Sequence, residues 1–317
     1  MASKSDRMQR HLRKAKQRGL SLLELLISLV VLALLMAGLS ELVATNSRNA
    51  VATGSLSQIE ETGRTAMQLL SADIRRAGYL GGNASIEMLG GTLELPGNSV
   101  SCAANSTDWA LMMGQPVVGI NDAKPSGAGY SCVADSEFLR GDVLTLRYVQ
   151  AWPTADGDMV AKRPYLRTTL VEGRVFEGED AADPNNVIMD NTARAHAVVA
   201  HTYFVGPSGR SCSGEPIPSL FRKSISDTAL PVSSELLAGV EHLQFRYQVG
   251  NRYLDADDVG NWDQVEAVEA TVLVRAECPE GNFTNNRTFP MGDLASAYGP
   301  ADEFRRQVYT TLTRIRN

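Results

Sequence analysis

The segment from Arg18 to Glu24 carries the residues whose types and spacing best suit chemistry. It reads Arg-Gly-Leu-Ser-Leu-Leu-Glu, where a basic head gives way to an apolar run. Gly19 at that boundary marks a place for a peptidase to cut, and Glu24 is a carboxylate just inside the run. Because lipid rejects a charge that no partner neutralises, Glu24 needs a cation nearby. The segment therefore predicts peptide-bond cleavage and charge pairing at a membrane boundary.

The elements on either side of this segment resemble a cytoplasmic head and a membrane span. Seven cationic side chains and one carboxylate give residues 1–19 a net charge of +6. Residues 20–39 are apolar except for Ser21, Glu24, Ser28 and Gly38. As a helix, these twenty residues span roughly 30 Å, the thickness of the hydrocarbon core of a bilayer. A basic flank stays in the cytoplasm, so we expect everything after residue 39 to face the other side of the membrane.

Two other interpretations of the N-terminus were weighed, an ordinary secretory signal peptide and an uncleaved anchor. A signal peptide has an apolar region of about 7–15 residues that ends in an Ala-x-Ala-like site. Here the run is longer, and no such site lies near residues 34–40. An ordinary signal peptide is therefore disfavoured. An exported protein that begins at Leu20 would indicate cleavage after Gly19, and one that begins beyond Met36 would indicate a signal peptide.

The charge of the chain argues against nucleic acid as a partner. The whole chain carries −6, so removal of the +6 leader leaves −12 on the 298 residues that follow. Affinity for DNA depends on neutralising its phosphates, which an acidic domain does poorly. A hydrophobic content of 44% and a charged content of 21% are typical of globular proteins.

The four cysteines predict two disulfides. They are Cys102, Cys132, Cys212 and Cys278, and none has Cys-x-x-Cys spacing. An even count in an exported domain favours disulfides over zinc or redox chemistry, with three possible connectivities. We favour Cys102–Cys132 and Cys212–Cys278, because each pair would join a Gly/Pro/Ser-rich loop region to its surroundings.

No catalytic constellation stands out, so we predict neither enzymatic activity nor a cofactor. His196 and His201 are five apart in a strand-like stretch and should face opposite sides of it. The chain has no Gly-x-Ser-x-Gly elbow and no Gly-rich phosphate loop before a helix.

One acidic segment partly fits a calcium loop. Counting from Asp255, residues 255–266 place acids at positions 1, 3, 9 and 12 and Gly at position 6, as in an EF-hand loop. Position 5 is Val259, which cannot ligate, and a strand follows where the second helix should begin. We favour an acidic turn that leads into that strand and leave calcium binding open.

The apolar helix should continue beyond the membrane. Its apolar stripe comprises Leu56, Ile59, Gly63, Met67, Leu70, Ile74 and Ala77, at steps of three and four. Charged residues should occupy most of the remaining surface: Glu60, Glu61, Arg64, Asp73, Arg75 and Arg76. We predict a helix over 20–78 with Gly78 as its cap, and a bend or break near Gly54.

The rest of the chain predicts an antiparallel sheet. Residues 81–135 are rich in Gly, Ser, Asn and Pro and indicate loops with short strands. Strands are expected over 142–149, 197–205, 243–249, 268–275 and 307–315 from β-branched content or alternation. The fold class is therefore α+β, with one long helix packed on the antiparallel sheet of a globular domain over 79–317.

These features resemble type IV prepilins, and more narrowly the minor pilins of the PilW family. A short basic leader, Gly19, a hydrophobic residue and Glu24 as the fifth mature residue form the prepilin signal. Leu20 stands where Phe is commoner. The narrower resemblance lies in residues 61–79, 141–148, 237–247, 262–275 and 309–317.

The resemblance implies how each of these parts works. Prepilin peptidase would cut after Gly19, Leu20 would be N-methylated, and Glu24 would pair with the liberated amine of its own or a neighbouring subunit. The protein would wait in the inner membrane and then join the major pilin and other minor pilins in a complex that primes assembly at the pilus tip, sometimes with an adhesin. A minor pseudopilin of a type II secretion system and a membrane-tethered periplasmic enzyme are the alternatives.

Overall fold

The computed structural model describes residues 21–83, 85–92, 107–124, 132–281, 283–292, 294 and 296–315. Contacts divide the chain into two units, with the boundary between Ala52 and Thr53. Helix α1 (Leu22–Ile74) contributes residues to both.

In the first unit, helix α1 is apolar on all sides and open to its surroundings. Fifteen large hydrophobic side chains are between 49% and 79% exposed: Leu22, Leu23, Leu25, Leu26, Ile27, Leu29, Val30, Val31, Leu32, Leu34, Leu35, Met36, Leu39, Leu42 and Val43. A helix that is apolar all round is typical of a membrane span. By length and composition, α1 is the one helix in the described residues that could cross a membrane.

The predicted break near Gly54 is wrong, because helix α1 runs through Gly38, Gly54 and Gly63 without interruption. One glycine costs a helix only about 1 kcal/mol, less than the several hydrogen bonds that a break would sacrifice. The helix ends at Ile74, three residues before the predicted Ala77. Gly78 still has the left-handed backbone of a cap, with φ of 78°, and its N–H donates to the carbonyl oxygen of Arg147 at 3.0 Å.

Among the described residues of the second unit, twelve strands form two sheets. They are β1 (Leu89–Gly90), β2 (Val117–Ile120), β3 (Arg140–Val149), β4 (Pro164–Thr168), β5 (Gly173–Glu177), β6 (Arg194–Cys212), β7 (Glu215–Ile225), β8 (Pro231–Ala238), β9 (Val240–Val249), β10 (Arg252–Leu254), β11 (Val265–Arg275) and β12 (Arg306–Arg314). A short helix α2 (Asp108–Leu111) precedes β2. The larger sheet has the order β1-β5-β4-β6-β3-β2, with β7 joining β6 to β8, and the smaller has the order β10-β9-β11-β12.

The α+β fold with a long helix packed on sheet is confirmed, and five predicted strands are found. They are β3, β6, β9, β11 and β12, most of them a few residues longer than predicted. The single sheet predicted is two sheets, and β1 pairs with β5 in parallel. Strand β7 is not predicted, because Pro216 and Pro218 argue against a strand. In the structure, each of these prolines lies opposite a residue near the C-terminal end of β6.

Strand β3 shows how the core is organised, because it is buried along nearly its whole length. Leu144 and Leu146 join a cluster that includes Leu70 of α1. Val143 and Val149 join a second cluster that includes Trp109 of α2. Alternate residues of a strand point to opposite faces, so the strand carries the helix on one side and the 107–124 segment on the other.

Helix α1 and β12 approach so closely that only glycine fits at position 63. A Cβ atom there would lie 2.1 Å from the Tyr309 ring, whereas Gly54 has open space around it. We expect Gly63→Ala to destabilise the domain by about 1–3 kcal/mol, because the ring must move. Gly54→Ala should stabilise the helix by up to about 1 kcal/mol. Urea unfolding of both variants in detergent measures the difference, and equal stabilities would contradict it.

Candidate functional site

The predicted processing site lies outside the described residues, since Gly19 and Leu20 precede residue 21. Glu24 is described, and it occupies the first turn of helix α1 with an exposed side chain. Within the described residues, no cation lies within ion-pair distance of its carboxylate. Ser28 satisfies its hydroxyl internally by donating to the Glu24 carbonyl oxygen at 2.7 Å. The Glu24 carboxylate therefore has no ion-pair partner among the described residues, at the start of a helix that is otherwise apolar.

The later part of helix α1 is fastened to the domain by hydrogen bonds from its own residues. Ser55 donates to Glu280 at 2.6 Å, and Gln58 donates to Glu277 at 2.6 Å. On the strand side, the Tyr309 hydroxyl donates to the Ile59 carbonyl oxygen at 3.2 Å. The helix from Thr53 onward is thus an integral part of the second unit.

A buried carboxylate anchors the end of that helix. Tyr148 donates to Asp73 Oδ1 at 3.0 Å, His201 Nδ1 lies 2.5 Å from Oδ2, and the Tyr203 hydroxyl donates to the same oxygen. Arg76 Nη1 lies 3.4 Å from Oδ1 on the exposed side. Asp73 therefore ties α1 to two strands of the larger sheet, β3 and β6.

The prediction that Asp73 lies on the polar surface of helix α1 is wrong. Its side chain is only 6% exposed. Position 73 follows Leu70 by three and precedes Ala77 by four, so it lies within the apolar stripe. A carboxylate at a stripe position is the signal that could have identified it.

Acid should destabilise the domain through Asp73. Burial raises the pKa of this carboxyl, but His201 and the two tyrosines lower it further, to about 2 from 3.8. A depressed acid pKa contributes stability above the unfolded value that is lost as pH falls through the folded one. We expect about 2 kcal/mol at pH 7 to disappear between pH 4 and pH 2.

Urea unfolding at several pH values measures this loss, and Asp73→Asn should flatten the slope between pH 4 and pH 2. The exposed Asp158 provides the control, because Asp158→Asn should leave the slope unchanged. An Asp73→Asn variant with the parent's acid dependence would refute the assignment.

A second buried network surrounds Arg306 at the start of β12. Its guanidinium donates to Glu241 at 2.5 Å and to Asp302 at 2.5 and 2.6 Å. Burial lowers the pKa of Arg306, but these carboxylates outweigh burial and raise it. Arg140 lies 3.9 Å from Glu241 and donates to the Tyr298 hydroxyl, which in turn donates to Glu241. The network joins β3, β9 and β12 with matched charges.

Three histidines lie in the described residues, and each contacts a group within the domain. His196 is buried, and its Nδ1 lies 2.9 Å from the Gln150 carbonyl oxygen. His201 contacts Asp73. Burial lowers the pKa of His242, which lies beside its own strand backbone. In the described part of the chain, no group of three or more His, Cys, Asp or Glu side chains is placed to hold a metal.

The segment considered for calcium forms two short 3-10 helices, Ala256–Asp258 and Trp262–Gln264, that lead directly into β11. Asp257 accepts a hydrogen bond from Asn121 at 3.3 Å, and Asp255 lies 3.8 Å from Arg246. The acidic turn leading into a strand is therefore the arrangement observed.

The Cys212–Cys278 disulfide is confirmed. It connects the end of β6 with the segment after β11, and so links the two sheets covalently. Cys132 is also disulfide-bonded. Cys102 lies outside the described residues, and the predicted Cys102–Cys132 pairing stays a prediction.

Comparisons with known proteins give two matches. Residues 202–317 match the family model described as type IV pilus-assembly protein W, and residues 14–40 match the prokaryotic N-terminal methylation motif. The second range contains Gly19, Leu20 and Glu24. No curated protein and no solved structure gives a significant match. The resemblance to a PilW-family pilin with a prepilin signal is confirmed, and it supports a minor pilin role in the type IV pilus.

Proposed function

We propose that this PilW-type minor pilin is a non-enzymatic subunit of the complex that initiates type IV pilus assembly and lies at the pilus tip. The observation that carries the proposal is the contrast along helix α1. In the first unit of the chain, the helix exposes apolar residues on every side. From Ile59 onward, the residues of the helix enter the core of the domain. One helix thus offers a surface for lipid or neighbouring helices and also bears the domain.

The processing step gives Glu24 its role. Removal of residues 1–19 takes away six net positive charges and creates an α-amine at Leu20, which would be N-methylated. That amine lies about one helical turn from Glu24 along the chain. In an apolar filament core, a carboxylate and an amine that pair there stabilise docking, whereas either alone opposes it.

The size of the domain supports a position at the pilus tip. The mature chain has 298 residues, most of them beyond the helix, and so large a domain is hard to tile along a close-packed filament. At an end it meets no such constraint. The inner membrane would hold the subunit before assembly, with the N-terminus cytoplasmic and the domain periplasmic. Major pilin, other minor pilins and a tip adhesin are the proposed partners, and twitching motility and adhesion the proposed outcomes.

Deletion of the gene tests the proposal. We expect loss of surface pili and twitching motility with normal release of secreted proteins, and N-terminal sequencing of the complementing protein should begin at methylated Leu20. Loss of exoprotein release with intact pili would instead identify a pseudopilin of a secretion system. A filament-associated protein that retains its leader would refute the proposal.

A further inference from the structure

A cleft of about 1010 Å³ lies beside the end of helix α1. The turn after the helix forms one wall, with Arg75, Arg76 and Tyr79. The end of β3 and the residues after it form another, from Tyr148 to Trp152. The Asp73 cluster lies directly behind, because Tyr148 and His201 both line the cleft and contact Asp73. The cleft therefore has a rigid floor.

The charge of the cleft is opposite to that of the chain. Among its described lining residues there is no Asp, Glu or Lys. Arg76 is paired with Asp73, but Arg75 is exposed and no carboxylate among the described residues lies within 4 Å of it. Both arginines also line a neighbouring cleft that contains Arg314. On a mature chain with a net charge of −12, the lining of this cleft is cationic.

The cleft also displays aromatic surface to solvent. Trp152 is 83% exposed and Tyr79 is 39% exposed. Tryptophan, tyrosine and arginine are the residues that most often anchor protein interfaces, where lysine and acidic residues are depleted. A guanidinium binds a carboxylate through two parallel hydrogen bonds, and an indole face packs against a flat apolar group.

We propose that this cleft docks an acidic segment, bearing an aromatic or apolar side chain, from another pilus subunit. The inference rests on the proposed function, which supplies such subunits in the same membrane. Arg75 receives the carboxylate, and Trp152 packs on the neighbouring apolar group. Because the lining holds no acidic side chain and Arg76 is paired with Asp73, Arg75 is the group in the cleft that attracts an acidic peptide.

A photo-crosslinker in the cleft of the full chain tests the proposal in piliated cells. Ala151 lines the cleft, is exposed and lies between Gln150 and Trp152, so p-benzoylphenylalanine replaces it without removing either anchor. After irradiation, we expect a cross-link that peptide mapping assigns to a net-negative segment of another pilus subunit. The same probe at Met189, which is 95% exposed outside the cleft, should not give that product.

Two matched substitutions decide what holds the segment. Arg75→Glu should lower the cross-link yield by roughly tenfold or more, because it places like charges together. Arg252→Glu changes the net charge equally on an exposed residue outside the cleft and should leave the yield unchanged. Trp152→Ala should also lower the yield, whereas Leu170→Ala, at another exposed apolar site, should not.

Other outcomes overturn the proposal. No cross-link from Ala151, a product with nucleic acid, glycan or lipid, a product mapping to an uncharged or basic segment, or equal yields for the Arg75 and Arg252 variants would each do so. N-terminal sequencing of the same samples keeps the two proposals apart. A chain that retains its leader contradicts the proposed function, whereas a processed chain that gives no cross-link contradicts the cleft alone.

Discussion

A Glu24→Leu variant should be inserted and processed normally but be absent from sheared filaments. Glu24 lies in the first helical turn with no cation beside it in the described chain. Placing this charge in a membrane costs about 2.5–3.5 kcal/mol, and the cost is lower near the end of the span. Removing the charge should therefore favour insertion. In the filament, however, its removal would leave the amine of a neighbouring subunit unpaired in an apolar core.

The expected effect on assembly is large. An unpaired buried charge costs about 3–5 kcal/mol, which corresponds to at least a hundredfold loss of incorporation. Immunoblots of sheared pili and of membranes, normalised to each other, measure it. Glu41→Leu is the control, because Glu41 lies in the same helix and is exposed but follows the apolar run. Wild-type amounts of the Glu24→Leu variant in filaments would contradict the proposed pairing of Glu24 with an α-amine.

The second large effect is expected at Arg306, whose side chain is 1% exposed between two carboxylates. Arg306→Met should lower the free energy of unfolding by about 3–5 kcal/mol, because Glu241 is 4% exposed and would lose its buried partner. Arg140 is 3.9 Å away and compensates only in part. Chemical unfolding followed by near-UV circular dichroism measures the loss.

A double variant separates the cost of burying a charge from the cost of lost packing. Glu241→Gln combined with Arg306→Met should recover part of the lost stability, because the buried charge disappears with its partner. Arg314→Met is the matched control in the same strand, since its side chain is 81% exposed and 4.0 Å from Glu266. A double variant less stable than Arg306→Met would contradict this account.

Local pattern predicted the framework of this fold. Period-two alternation identified β9 and β11, and an apolar stripe identified the helix that covers them. The N-terminal signal was recognisable because cleavage needs a contiguous stretch of chain. Strands β4 and β5 have five residues each, and β7 contains prolines, so neither length nor composition distinguishes them from loops. They are strands because β6 pairs with both β4 and β7, and β4 in turn pairs with β5.

The polar clusters could not be predicted, because their members are far apart in sequence. Asp73 meets His201 and Tyr203 across some 130 positions, and Glu241 meets Arg306 across 65. Apart from Asp73, which lies in the apolar stripe, each residue alone is compatible with a solvated surface. The arginine cleft beside α1 is likewise formed by three separate segments. The pairing of β3 with β6 brings Tyr148 and His201 together around Asp73, whereas Glu241 and Arg306 lie on the two strands that flank β11.

The contact between Tyr309 and Ile59 also constrains how the protein is made. Ser55 likewise bonds to Glu280, and Ser71 to Thr313, so these three hydrogen bonds join residues that are 225 to 250 positions apart. The domain therefore cannot close before β12 has been made. With the proposed topology, the chain crosses the inner membrane unfolded, and the apolar stripe of its helix is accessible to chaperones and proteases. A nonsense codon before β12 would consequently eliminate the whole subunit.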